Sequence, residues 1–386
     1  MRFIHTADLH LGKRVYEFSL IRDQEAVLAA ILDLCLREGA QALILAGDIY
    51  DKSVPAVEAI LLLESFLLDL SEAGITVLMV AGNHDSGERL SFGGSFMKSH
   101  KIHIAGVYEG QVEAVPLEDE EGPVTFHLLP FIRPSDVRRF FPEASIQSVS
   151  DAVETVLSSI EKGPGRHVLL AHQFVTAGGR SPLRSESELL QVGTVDEVDE
   201  SIFSGFDYVA LGHLHGFQRI GEGPVYYSGS PLPYSFSEAH HTKGALLVDL
   251  AGGPARVRQL PLPALHAMRR IRGEMAELLA EGRNMENKED PARLDYLEIT
   301  LTDEGAVADP MNRLRSVYPN IMRLLFSRGE SDSWEQDTLI MGEDLSVMEP
   351  AELFSGFFLE QTGRPLTGRQ SQVVGEVARE TEGAGV

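Results

Sequence analysis

The sequence predicts an α/β fold, because short apolar runs alternate with stretches of helical periodicity. The runs show no alternation of polar and apolar residues, which is typical of strands buried on both faces. The clearest of them are residues 42–46, 76–81, 167–171 and 207–211. We therefore expect strands in a sheet that is covered on both sides.

Two stretches that precede the first two of these runs, 23–39 and 55–74, carry helix signals. The stretch 55–74 has Pro55 near its start and Gly74 just past its end, where these two residues favour helix boundaries. In the stretch 23–39, one helical face collects the apolar residues Ala26, Val27, Ile31, Leu34 and Cys35.

The composition restricts the class of protein. Hydrophobic residues make up 43% of the 386 residues, enough for the cores of two or three domains. The single cysteine, Cys35, lies in an apolar helical pattern, so we expect a buried thiol and no disulfide framework. The start is polar and no apolar run reaches about 18 residues, which predicts a soluble cytoplasmic protein that does not enter membranes. The net charge of −25 argues against a general surface that grips a polyanion.

Polar side chains follow the predicted strands at the points where the strands end. In chain order they are Asp8 and His10, Asp48 and Asp51, Asn83, His84 and Asp85, His172, and His213 and His215. In open α/β sheets, ligands bind beyond the carboxyl ends of strands, so these groups should meet at one edge. Taken singly, each is more often a satisfied polar group or a cap or turn residue. Five such groups in the order of successive strands indicate a metal site.

The types of the candidate ligands restrict the metal. They offer nitrogen and oxygen but no sulfur, which argues against a site for soft ions. Seven ligands exceed what one ion takes, whereas two ions ~3.5–4 Å apart that share a carboxylate would use them all, an arrangement suited to phosphate-ester hydrolysis. Mixed imidazole, carboxylate and amide ligands fit manganese, iron or zinc better than magnesium.

The spacing of these groups is similar to that of a known family. The order Asp8-x-His10, Gly47-Asp48, Gly82-Asn83-His84-Asp85, His172 and Gly212-His213-Leu214-His215 resembles the calcineurin-like metallophosphoesterase superfamily. A closer resemblance is to the SbcD family of nuclease subunits, carried by IHTADLHLGK, LAGDIYDKSVP, VAGNHDS, HQFV, DYVALGHLHG and YYSGSPLPYSFSEA. This resemblance covers nearly the whole chain and implies a β-sandwich flanked by helices.

The resemblance also implies a role for each site residue. The first ion would be held by Asp8, His10, Asp48 and His215, and the second by Asp48, Asn83, His172 and His213. Both are divalent, with manganese favoured. His84 would donate a proton to the leaving sugar oxygen or stabilise the transition state. Asp85 would either orient His84 or hold the fold, and the role of Asp51, a histidine in some relatives, stays open.

The pattern changes after residue 263. Strands are predicted at 269–273, 295–301 and 320–327, with helices at 276–282 and 309–317. We expect three parts: a metallophosphoesterase nuclease domain (1–263), a small α+β capping domain (264–335) and a helical C-terminal partner-docking segment (336–386). In the last, Leu353, Phe354, Phe357 and Phe358 recur at helical spacing, followed by Val373, Val374 and Val377. The resemblance implies that the capping domain helps present DNA to the metals, and the alternative is that it only stabilises the chain.

The resemblance implies a function and partners. It implies a two-metal nuclease that acts as an exonuclease on duplex DNA ends and as an endonuclease on single strands and hairpins, in DNA repair, recombination and replication. The implied partner is an SbcC-type ATPase with a long coiled coil, bound to a homodimer of this chain in a heterotetramer. Candidate local DNA contacts are Arg133, Arg138 and Arg139, or Lys13 and Arg14, although each is also a normal solvated charge.

Two other functions are weighed against this one. The same metals would serve a phosphoesterase that acts on small molecules or phosphoproteins, but such an enzyme needs neither the second domain nor the tail. A DNA-end scaffold without activity would not need all seven ligands and His84. The nuclease is therefore the preferred interpretation.

Overall fold

The computed structural model describes residues 1–188, 197–327, 354, 355, 358 and 366–383. The chain divides into two compact units. The first comprises Met1–Arg270 with Leu294–Leu297, and the second comprises Ile271–Arg293 with Glu298–Val386.

Sixteen strands are described before residue 262, and they are numbered here in chain order. They are β1 (Arg2–Thr6), β2 (Arg14–Val15), β3 (Phe18–Ser19), β4 (Ala42–Ala46), β5 (Thr76–Val80), β6 (Ile102–Ala105), β7 (Glu113–Asp119), β8 (Gly122–Leu128), β9 (Arg166–His172), β10 (Phe174–Thr176), β11 (Glu197–Asp199), β12 (Tyr208–Gly212), β13 (Gln218–Ile220), β14 (Val225–Tyr227), β15 (Gly244–Asp249) and β16 (Arg256–Pro261).

The helices of the same part of the chain range from single turns to five turns. They are α1 (Ile21–Glu38), α2 (Val57–Glu72), α3 (Gly87–Leu90), α4 (Gly94–Met97), α5 (Pro134–Arg138) and α6 (Val149–Ser158). Short 3₁₀ turns lie at Lys98–His100, Glu200–Phe203 and Phe236–Glu238.

Two six-stranded sheets form the first unit. One has the order β16-β15-β1-β4-β5-β6 and the other has the order β13-β14-β12-β9-β8-β7. In the first sheet, β1, β4, β5 and β6 run parallel. In the second, β8, β9, β12 and β14 run parallel. Antiparallel strands complete both sheets, and the pairs β2–β3 and β10–β11 stand apart from them.

One apolar cluster joins the two sheets into a sandwich. It contains Phe3, Ile44 and Leu78 from the first sheet and Phe126 and Tyr208 from the second. A second cluster lies on the other face of the second sheet, where α6 contributes Val153 and Val156. The β-sandwich flanked by helices that the resemblance implies is therefore confirmed. The apolar runs alone predicted only a sheet covered on both sides, because strands with another sheet on one face and helices on the other are also apolar on both faces.

The part of the chain after residue 262 contains a three-stranded sheet and short helices. Its elements are β17 (Met268–Gly273), α7 (Met275–Asn287), β18 (Tyr296–Leu301), α8 (Pro310–Arg315) and β19 (Ile321–Phe326), in the sheet order β17-β18-β19, with a 3₁₀ turn at Pro291–Leu294. Each predicted strand and helix after residue 263 lies within a few residues of its expected place. The three-part division at 263 and 335 stays a prediction.

Little of the tail is described. Leu353 and Phe357 lie outside the described residues, whereas the rings of Phe354 and Phe358 stack with centroids 6.4 Å apart. A final helix, α9, spans Gly368–Gly383. Among the described residues, no helix combines the length and the apolar character needed to cross a membrane.

Candidate metal centre

Five parallel strands bring the predicted ligands together at the carboxyl ends of the sheets. Asp8, Asp48 and Asn83 follow β1, β4 and β5, which lie side by side in the first sheet. His172 is the last residue of β9, and His213 follows β12, its neighbour in the second sheet. The site therefore draws on both sheets of the sandwich. We call Asp8, His10, Asp48, Asn83, His172, His213 and His215 the metal centre.

The backbone is strained at four residues of the metal centre. Asp8, His10, Asp48 and His213 have φ values of 54°, 44°, 50° and 105°. Residues other than glycine rarely adopt a positive φ, and each such residue costs about 1–3 kcal/mol of stability. Such strain persists where the surrounding structure imposes it and is concentrated at functional sites.

Two glycines of the motifs are required by close packing. Gly47 has a φ of 90°, and a Cβ atom there would lie 2.2 Å from Nδ1 of His172. A Cβ atom on Gly82 would lie 2.1 Å from Oδ1 of Asp48. The glycines in the Gly-Asp and Gly-Asn-His-Asp strings thus let the loops approach one another closely enough for the ligands to converge.

Asp48 lies among three imidazoles. Its Oδ2 is 3.4 Å from Nε2 of His172, 3.8 Å from Nε2 of His10 and 3.9 Å from Nε2 of His84. Its Oδ1 accepts the backbone N–H of His84 at 2.9 Å. The side chain is almost fully buried, so one carboxylate faces both halves of the cluster.

Asn83, His172 and His213 form one half of the cluster. The amide oxygen of Asn83 lies 3.1 Å from both Nε2 of His172 and Nδ1 of His213. Nδ1 of His172 donates to the carbonyl of Ala46 at 2.9 Å. This hydrogen bond leaves the Nε2 lone pair directed into the site, which is the tautomer of a metal-binding histidine.

Asp8, His10 and His215 form the other half. Nε2 of His10 and Nε2 of His215 face each other at 3.2 Å. The carboxylate of Asp8 accepts the backbone N–H of His213 at 3.0 and 3.2 Å. All three ligands are buried, and single ligand atoms from each lie within 4.8 Å of one another.

Burial and charge shift the pKa values of these groups in opposite directions. Burial raises the pKa of Asp8 to about 7. Burial also disfavours a charged His172, but the charge and hydrogen bond of Asp48 raise its pKa to about 9. Burial lowers the pKa of His213 to about 3. The cluster therefore holds protons that compete with cations for the same atoms.

The donor set fits divalent metal ions. Lone-pair atoms that face each other, such as the two Nε2 atoms of His10 and His215, need a proton or a cation between them. Nδ1 of His10 is buried and has no hydrogen-bond partner among the described residues. Three overlapping groups of side chains could each hold an ion: Asp8, His10 and His215; Asp8, Asp48 and His172; and His10, Asp48 and His84.

His84 lies beside the metal centre and is oriented by Asp51. Its Nδ1 donates to the backbone carbonyl of Asp51 at 2.9 Å, so Nε2 points toward Asp48. The carboxylate of Asp51 accepts from Lys13 at 2.7 Å and lies 3.7 Å from Nδ1 of His10.

Asp85 bonds to the backbone. Its carboxylate accepts the N–H groups of Ile49, Tyr50 and Gly82 at 2.9–3.1 Å. These bonds tie the loop after β4 to the loop after β5. Of the two roles expected for Asp85, the geometry favours holding the loops over orienting His84.

Several residues around His215 were not assigned from the sequence. Ser187, Glu238 and Lys243 form a hydrogen-bonded network behind it. The ring of Tyr234 lies 5.3 Å from that of His10 and 5.6 Å from that of His215. Tyr234 and Glu238 belong to the string YYSGSPLPYSFSEA, so the signal was present but gave no individual role.

Comparison with known proteins shows the family to which this chain belongs. A family model described as calcineurin-like phosphoesterase matches residues 1–217, and one described as type 5 capsule protein repressor C-terminal domain matches residues 264–362. The SbcD component of the nuclease SbcCD from Staphylococcus saprophyticus subsp. saprophyticus is 32% identical over 98% of this chain and 97% of that protein. The SbcD component from Staphylococcus epidermidis is 34% identical over 97% of both chains.

The sandwich, its donor set and the first family match define a metal-dependent phosphoesterase of the calcineurin-like family. Within it, the chain belongs to the SbcD family of nuclease subunits. It is thus a metal-dependent phosphodiesterase of the nuclease type.

Proposed function

We propose that the chain hydrolyses DNA phosphodiester bonds with two manganese ions. The observation that carries this proposal is the convergence of six other nitrogen and oxygen donors of the metal centre around the carboxylate of Asp48. The substrates would be duplex ends for exonuclease action, and single strands and hairpins for endonuclease action. This activity would serve DNA repair, recombination and replication in the cytoplasm.

The two halves of the cluster define the two proposed sites. Asp8, His10, Asp48 and His215 would hold the first ion. Asp48, Asn83, His172 and His213 would hold the second, with Asp48 as the bridge. When bound, the ions would polarise the phosphodiester and lower the pKa of the attacking water.

The protein's own groups would perform the remaining steps. The hydrogen bond from Nδ1 of His172 to Ala46 fixes the inward direction of its Nε2 lone pair. The bond from Nδ1 of His84 to Asp51 leaves Nε2 of His84 to carry a proton to the leaving sugar oxygen. Asp85 would keep the loops that carry Asp48 and His84 in register.

The proposed partner is an SbcC-type coiled-coil ATPase, bound to a homodimer of this chain in a heterotetramer. Exposed large apolar side chains support association with other chains. On α2 they are Val57, Ile60, Leu61 and Leu68; Phe92 follows α3, and Phe96 lies on α4.

The function is tested by cleavage of end-labelled duplex and hairpin DNA in manganese, with and without the ATPase partner. We expect shortened duplex products and opened hairpins, with an Asp48→Ala chain as the inactive control. Hydrolysis of nucleotide phosphomonoesters without any cleavage of DNA would contradict the proposal.

A further inference from the structure

A buried polar network lies behind His215, on the side away from the other ligands. Oγ of Ser187 is 2.9 Å from Nδ1 of His215 and donates to Oε1 of Glu238 at 2.5 Å. The other carboxylate oxygen, Oε2, accepts from Nζ of Lys243, also at 2.5 Å. The three side chains come from two distant stretches of the chain and bond to one another beside His215.

Burial makes this network costly unless every member is paired. The side chain of Glu238 is fully buried and that of Lys243 is 9% exposed. Buried charges are tolerated when opposite charges and hydrogen bonds satisfy them. Lys243 meets this condition, since it also donates to the backbone carbonyl of His215 at 2.8 Å and to Oγ of Ser230 at 2.9 Å. The lysine thus links Glu238 to the backbone of the ligand itself.

The hydrogen bonds determine where the proton of His215 lies. A carboxylate held by a lysine accepts hydrogen bonds and has no proton to donate, so the single hydroxyl proton of Ser187 goes to Glu238. Oγ of Ser187 therefore accepts at His215, and the proton on the ring is at Nδ1. Nε2 then carries the lone pair, and it is Nε2 that faces His10 at 3.2 Å.

The same loop also fixes the backbone of His215. Oε1 of Glu188 accepts the N–H of His215 at 2.7 Å. The backbone N–H of Ser185 in turn donates to Oε2 of Glu188 at 2.9 Å. Both the peptide and the ring of His215 are therefore held by residues 185–188.

We propose that Ser187, Glu238 and Lys243 are positioning residues that hold His215 in the tautomer and orientation needed to bind the first ion. This inference rests on the proposed function, because it takes His215 as a ligand of that ion. Lys243 keeps Glu238 charged, Glu238 orders the hydroxyl of Ser187, and Ser187 accepts from Nδ1. Loss of such outer partners typically weakens metal affinity about 10- to 100-fold.

The test is a calorimetric titration of the full-length chain with manganese chloride. The binding step that disappears in His215→Ala identifies the first ion. We expect Ser187→Ala and Glu238→Gln to weaken that step by about 10- to 100-fold. Ser187→Thr, which keeps a hydroxyl, should retain most of the affinity. Ser181→Ala, which removes an exposed hydroxyl in the same loop, is the matched control and should bind like the unaltered chain.

The outcomes separate the inference from the function on which it rests. Full affinity in Ser187→Ala and Glu238→Gln, with the step lost in His215→Ala, would overturn this inference alone. Weaker binding in Ser187→Thr than in Ser187→Ala would indicate a packing role and would also overturn it. If His215→Ala binds two ions normally, the metal assignment fails, and this inference with it. If Glu238→Gln fails to fold, the affinities of Ser187→Ala and Ser187→Thr, at a half-buried residue, still test the inference.

Discussion

Asp48 occupies a constrained position in the metal centre. Its backbone adopts a φ of 50°, and its two carboxylate oxygens face different neighbours. Oδ1 is fixed by the N–H of His84, whereas Oδ2 lies 3.4 Å from His172 and 3.8 Å from His10. One side chain therefore connects ligands from both halves of the cluster, which makes it the most informative residue to change.

Asp48→Ala should remove a ligand from both ions at once. We expect manganese binding and DNA cleavage to fall to background while the fold survives, because the sandwich core does not depend on this carboxylate. Cleavage assays, metal analysis and circular dichroism would measure the three properties. Asp33→Ala, which removes an exposed carboxylate on α1, should change none of them. A folded Asp48→Ala chain that cleaves normally would show that the ions do not share Asp48.

His84→Ala should separate chemistry from metal binding. His84 holds a hydrogen bond through Nδ1 and directs Nε2 toward the site, as expected of a proton donor. Proton transfer of this kind contributes about 10²–10⁴-fold to the rate, so turnover should fall by that factor with both ions retained. Metal analysis must accompany the kinetics, because loss of manganese in His84→Ala would show that His84 is a metal ligand. Exposed His100→Ala serves as the control.

The role of the seven side chains of the metal centre as metal ligands stays a prediction, but residue type and position after a strand were sufficient to predict that they lie together. They were not sufficient for Ser187 and Glu238, which are 51 positions apart and meet only through the fold. A serine in a loop and a glutamate after Ser-Phe-Ser carry no pattern of their own. The hydrogen bonds that give them a role depend on long-range contacts that a single sequence does not display.

At the scale of elements, the predicted strands agree with the structure to within one or two residues. Strand β4 spans Ala42–Ala46 as expected, and α2 spans Val57–Glu72 within the predicted 55–74. Proline, glycine and apolar periodicity determine these boundaries locally. The pairing of β1 with β4 and of β9 with β12 into separate sheets is not local, so it was not predictable from the same signals.

A histidine pair between β8 and β9 is a second consequence of strand pairing. Nε2 of His167 donates to the carbonyl of Gly163 at 2.9 Å, so its Nδ1 accepts from Nε2 of His127 at 3.0 Å. Nδ1 of His127 is then without a proton, and it is buried without a hydrogen-bond partner among the described residues. Burial, with a smaller effect of His167, lowers the pKa of His127 from 6.5 to about 4.

His127 should make the free energy of unfolding depend on pH. In the unfolded chain the imidazole titrates near 6.5, whereas the folded pKa is about 4. Between these values the unfolded state binds a proton that the folded state does not, so stability falls as the pH falls through this window. In His127→Phe, denaturant unfolding measured from pH 7 to pH 5 should show a shallower decline. The exposed His100→Gln should keep the original slope, and an unchanged slope in His127→Phe would refute the assignment.

At the scale of the whole molecule, the net charge of −25 limits how DNA is bound. Several of the basic residues considered as local contacts are already engaged within the chain. Lys13 pairs with Asp51, Arg138 donates to the carbonyl of Ile146, and Arg139 donates to that of Tyr108. Bound cations and a partner subunit would then supply much of the attraction to a polyanion. The proposed partner would therefore be important for function.

The C-terminal segment is where we expect that partner to bind. Leu353, Phe354, Phe357 and Phe358 recur at helical spacing, and Val373 and Val377 of α9 are more than half exposed, at 53% and 54%. Apolar faces of this kind are a liability unless another surface covers them.

Deletion of residues 345–386 should therefore abolish co-purification with the coiled-coil ATPase. Manganese binding and basal cleavage of single strands should remain, because all seven proposed ligands precede residue 216. A truncated chain that binds the ATPase with unchanged affinity would place the docking surface elsewhere and make the tail an internal packing element.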